Sequence, residues 1–175
     1  MLYLSTGAVI NETVNELVVI CSIGIGIVAG LRSMTAPAIV SWAAYLGWLH
    51  AADGPFSFVA SWPIVALLTV WAVFELVLDK TSKIGNRTGL VGVVFRVVTS
   101  TFSAAVLSKA AGAGSATGMV FGLVGGMIGT FGGYYLRREC VRNTSLSDLP
   151  VAIAEDIIAI GLGVACAYFA AGPGR

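Results

Sequence analysis

Apolar residues run along this chain in long stretches separated by short polar connectors, near residues 14 to 31, 34 to 50, 59 to 79, 88 to 110, 116 to 136 and 149 to 171. About 20 apolar residues of helix cross the roughly 30 Å hydrocarbon core of a bilayer, so each stretch predicts a membrane segment. Lipid offers no partner for a bare N–H or C=O, and a chain of such segments must satisfy its backbone within helices. The expectation is an all-α, polytopic transmembrane bundle of about six segments, forming one domain over residues 1–175. The second segment, 34–50, is short and carries Pro37 near its start; it either crosses or re-enters. Pro63 and Pro150 likewise open the third and sixth segments, where a missing N–H leaves no helical bond unmade. The first basic residue is Arg32, so no positively charged leader precedes the first segment, which reads as retained.

Composition sharpens the class. Hydrophobic residues make up 57% of the chain and charged ones 11%, against about 25% charged in ordinary soluble domains, and the mean hydropathy is +0.91. A net charge of +1 leaves no basic surface for nucleic acid; the expected partner is the lipid bilayer. Cys21, Cys140 and Cys166 have no metal-ligand or paired spacing and read as buried or idle thiols. The single histidine, His50, lies in a connector, and no nucleophile or metal-hydrolase motif occurs, so no cofactor, metal or catalytic site is expected. Basic connectors at 79–87 and 137–148 are expected on the cytoplasmic side, with both termini outside if all six segments cross and the amino terminus inside if the second re-enters.

Two patterns carry candidate function. In the fifth segment Gly118, Gly122, Gly125, Gly129 and Gly132 form a continuous small face, a glycine zipper suited to close helix packing within or between copies. A homo-oligomer, first of all a dimer, is expected from it. The second pattern is charge inside apolar runs: Arg32, Glu75, Asp79, Arg96, Glu155 and Asp156, with Lys80 at an edge. Such residues cost about 2.5–3.5 kcal/mol each on insertion scales, so they face partners, cavities or the interface. Counting along each segment places all six at a similar depth on the cytoplasmic side, in one layer. Glu75 and Asp79, four apart, share a helix face. Glu155 and Asp156 point about 100° apart, so only one need face inward. Unless Lys80 or Lys83 folds in, four carboxylates against two arginines leave an acid that is protonated, wet or holding a cation.

The stretches GLRSMTAPA (30–38), FELVLDKTSKIG (74–85), FRVVTSTFSAAVL (95–107) and LPVAIAEDIIAI (149–160) resemble, in order, the motifs of an uncharacterised bacterial membrane family, domain of unknown function 4126. The Glu75-x-x-x-Asp79-Lys80 and Ala154-Glu155-Asp156 elements carry most of the resemblance. The chain departs from the pattern at Val97, where a proline is expected, and in TSKIG after Lys80. The resemblance implies a multi-pass protein of the bacterial inner membrane and no activity. From the residues, the leading expectation is a small transporter or channel for a solute or ion using the charged layer; the alternative is a structural or accessory protein in which that layer clamps helices.

Overall fold

The computed structural model describes residues 2–51, 54–79, 89–144 and 148–172, with backbone alone at 2–14, 144 and 148. Helix α1 (Leu2–Leu31) leads through a tight corner into α2 (Thr35–Tyr45); a 3-10 turn (Ser57–Ala60) precedes α3 (Trp62–Asp79). Then follow α4 (Leu90–Ala110), α5 (Ser115–Met127), a π-helical turn (Ile128–Gly132), α6 (Gly133–Thr144) and α7 (Asp148–Ala170). No strand occurs among the described residues. Four helices are long and apolar enough to cross a membrane, Trp62–Asp79, Leu90–Ala110, Ser115–Asn143 and Leu149–Ala170, and Asn15–Leu31 is a shorter apolar helix. The chain is thus an all-helical, multi-pass membrane protein.

Pro37, Pro63 and Pro150 all fall in the first turn of a helix, as their missing N–H dictates. Helix α1 begins at Leu2, well before the first apolar window, and two later boundaries also differ. Helix α2 has 11 residues, about 16 Å of rise, because Gly47, with φ of 76°, ends it in a left-handed turn. Residues 137–144, expected in a connector, continue the fifth segment as helix α6, since no glycine or proline interrupts the chain between Gly133 and Pro150.

Glycine sets how closely α1, α4 and α5 approach. A Cβ on Gly118 or Gly122 would strike Ala104 of α4, and one on Gly126 would strike Ser100. Gly125 and Gly129 instead press on the backbone of Ile23 and Ile27 of α1, and Gly26 and Gly30 meet Gly122, Gly126, Gly129 and Thr130 from the other side. The expected single glycine face is therefore two faces, one for each neighbouring helix. Gly132 has nothing within 4 Å and belongs to neither. Because these contacts lie within one chain, they lend no support to a second copy.

The remaining core gathers on α2. Eight of its residues are buried, and Ala36, Val40 and Ala43 join Ile25 and Val28 of α1, Val106 and Leu107 of α4 and Ala159 and Ala167 of α7 in one cluster. The Ser41 hydroxyl donates to the Val59 carbonyl, and Trp42 Nε1 donates to Thr69 Oγ1 at 2.9 Å. Trp42 meets Trp62 at the start of α3 edge to face, and Tyr45 lies tilted against the same ring. Helices α2 and α3 therefore run antiparallel, with the end of α3 returning to the corner between α1 and α2.

Candidate functional site

That corner is where the intramembrane charges meet. Arg32 directly follows α1, and its side chain is 1% exposed. Its guanidinium is ringed by acids: Nη1 lies 2.6 Å from Asp79 Oδ2 at the end of α3. On α7, Nε lies 2.6 Å from Asp156 Oδ1, and Nη2 lies 3.5 Å from Glu155 Oε2. Arg137 of α6 enters from the other flank, with Nη1 donating to Asp79 Oδ2 at 2.8 Å and to Glu155 Oε2 at 3.3 Å. Two carboxylate oxygens are thus each shared by two guanidiniums. Buried ions are tolerated only with such pairing, because the cost of leaving water is several kcal/mol per ion.

Glu75, one turn before Asp79, has a different task. Its Oε1 accepts the Ser33 N–H at 2.9 Å and the Ser33 hydroxyl at 2.6 Å, and its Oε2 accepts the Met34 N–H at 2.7 Å. Met34 is the N-cap of α2 and supplies no side-chain cap itself. A carboxylate at that helix start satisfies orphan N–H groups and meets the positive end of the helix dipole. Glu75 is therefore a cap lent to α2 by α3.

Of the residues singled out from the sequence, the fold brings Arg32, Asp79, Glu155 and Asp156 into direct contact and sets Glu75 beside them. Arg96 stands half-buried on α4, where its carbonyl accepts the Thr99 hydroxyl at 3.2 Å. Lys80 lies outside the described residues. Both Glu155 and Asp156 reach Arg32, although their separation of about 100° requires only one to face inward. The planar guanidinium presents donors along two edges and so meets acids that leave their helix in different directions.

Arg137 is the residue the sequence reading missed. A 20-residue window ends the fifth segment at 136 and hands Arg137 to a connector, whereas the helix runs on through Asn143. The uninterrupted helical pattern after Tyr135 was the available signal. Two local features aim it: the π-helical turn shifts the register of α6 relative to α5, and Gly133 lets α6 approach. A Cβ there would strike Leu31 and come 3.5 Å from Glu155 Oε1.

The cluster grades outward. Side-chain exposure rises from 1% at Arg32 through 9% and 10% at Asp156 and Glu155 to 14% at Arg137 and 18% at Asp79. One end is sealed in the bundle and the other reaches its surface. Among the described residues no group of three His, Cys, Asp or Glu is arranged to hold a metal ion.

A family model described as domain of unknown function (DUF4126) matches residues 19–171, a span that contains every residue of the cluster. No curated protein and no solved structure matches the chain.

Proposed function

The chain belongs to the family described as domain of unknown function 4126, a description without an activity, and from its own geometry we propose a small membrane transport protein. It is a carrier or channel for protons or small cations, and the Arg32–Asp79–Arg137–Glu155–Asp156 cluster is its gate. The observation that carries this reading is the sharing of Asp79 Oδ2 and Glu155 Oε2 between two arginines. Each arginine has a second acid to hold when one pair breaks, so the cluster can rearrange without stranding a buried charge. A permanent staple needs only one-to-one pairs. Asp79, Glu155 and Asp156 also bring three carboxylates to one site, and a carboxylate is the group that takes up a proton or a cation.

On this reading the gate lies at the cytoplasmic side of a bacterial inner membrane, the side that the positive-inside rule favours for the basic connectors. Helix α2 with residues 46–51 makes the sixth crossing, since its far end meets Trp62 where α3 begins. A second reading, a clamp for an accessory membrane protein, draws on the near-complete burial of Arg32.

Flux in vesicles separates the two. Purified protein reconstituted in vesicles that enclose a pH-sensitive dye, under an imposed potassium diffusion potential, is expected to pass protons. Glu155→Gln and Arg137→Gln are expected to extract and elute as the wild type does while altering that flux about tenfold, equivalent to 1.4 kcal/mol at the barrier. A wild type that passes no protons, sodium or potassium, with Glu155→Gln aggregating on extraction, overturns the gate in favour of the clamp.

A further inference from the structure

Cys21 and Cys166 lie on α1 and α7, at opposite ends of the sequence, and the charged cluster uses neither. Both are free and buried, 3% and 7% exposed, and their side chains lie close enough to interact. Space for the contact comes from Gly24, one turn along α1 from Cys21. A Cβ on Gly24 would collide with Cys166 Sγ, so the bare glycine leaves a notch in which the sulfur of α7 is seated beside the thiol of α1. Both cysteines belong to the apolar cluster that also holds Ile25, Val28 and Ala167.

We propose that Cys21 and Cys166 are a disulfide-forming pair that staples α1 to α7 inside the bilayer. Two S–H bonds break and one S–S bond forms. The two electrons and two protons pass to a lipid-soluble quinone, which leaves as the quinol. Water-soluble oxidants do not reach thiols buried at this depth, whereas a quinone dissolves in the hydrocarbon around them. The staple also bears on the gate, a consequence that rests on the transport reading while the disulfide does not. Helices α1 and α7 carry Arg32 and its partners Glu155 and Asp156. From Cys21 to Arg32 just past the end of α1 is about 16 Å of rise and from Asp156 to Cys166 about 15 Å, so the covalent link lies in register with those ion pairs and restrains them.

The test uses the full chain in lipid vesicles containing a short-tailed ubiquinone analogue. After denaturation and alkylation, two of the three thiols are expected to be lost, leaving Cys140 alkylated, with a reducible peptide linkage containing Cys21 and Cys166. A protease site placed in the 111–114 turn should yield fragments that stay joined until reductant is added. Cys21→Ser and Cys166→Ser, near-isosteric and expected to extract like the wild type, should each abolish the linkage. Three thiols that alkylate alike after quinone and after the membrane-permeant oxidant diamide, or linkage through Cys140 alone, overturn the pair. In the flux assay, oxidised protein should conduct less than reduced protein. A staple that forms without changing a measurable flux overturns its effect on the gate, and absence of flux in both forms overturns the transport reading while the staple stands.

Discussion

Arg32 holds the cluster together because it is the most enclosed charge and faces three acids at once. Arg32→Met keeps much of the apolar stem but removes the guanidinium that Asp79, Glu155 and Asp156 share. Breaking a buried pair in this way costs about 3–5 kcal/mol, and thermal unfolding in detergent should show a correspondingly large drop in Tm. Arg32→Lys should fall between, since one ammonium keeps the charge but lacks the planar fork that reaches acids on both edges. Equal stability of all three proteins would contradict the pairing. The acids of this site were legible in the sequence because a charge inside an apolar run has few places to go. The role of Glu75 was not: capping α2 depends on a corner at Ser33 and Met34 that brings two sequence-distant segments together, and no local pattern announces it.

At the scale of elements, glycine and helix length decide the packing. Gly125 and Gly132 have the same spacing pattern in the sequence but opposite surroundings: a Cβ on Gly125 would strike the Ile23 carbonyl, whereas one on Gly132 meets nothing within 4 Å. Gly125→Ala should therefore push α5 from α1 and cost about 1–3 kcal/mol, the range for overpacking. Gly132→Ala should be neutral, or stabilise by up to about 1 kcal/mol through lost unfolded-state freedom. Melting the two variants side by side in one detergent checks this, and equal losses would show that spacing alone sets the outcome. Helix class and the proline starts were readable because hydropathy and the missing N–H act locally. The split of the glycines between α1 and α4 was not, since spacing along one helix does not say which neighbours surround it. The inward turn of Arg137 was hidden for a related reason: the π-helical turn that re-aims α6 arises from packing rather than from any residue type that marks it.

For the whole molecule, the question is which way the bundle sits in the membrane. Only Val65 and Ala72 of α3 are buried, and its apolar side chains from Leu67 to Val77 are largely exposed, as a face turned to lipid requires. Aromatic side chains gather at both ends. Trp42, Tyr45 and Trp62 with Trp48 and Tyr168 mark the end far from the charges, and Tyr134 with Tyr135 marks the end near Arg137, the positions of the two interfacial belts. From Asp156 to Tyr168 is about 18 Å of helical rise, so the cluster lies nearer the second belt within a core of about 30 Å. Arg137, Arg138 and Arg142 lie beside or beyond that belt, and in the orientation proposed above from the positive-inside rule they face the cytoplasm. Native Cys140, on α6 among these arginines and half-buried, reports the side directly. Ala116, exposed in the first turn of α5, reports the opposite one. A membrane-impermeant maleimide should label Cys140 in inside-out vesicles and spare it in right-side-out ones. Ala116→Cys in a Cys140→Ser background should give the reverse. Buried Cys21 and Cys166 should stay unlabelled in both. Labelling of Cys140 from outside would invert the bundle and move the charged cluster to the outer face, where the basic connectors would break the rule that orients them.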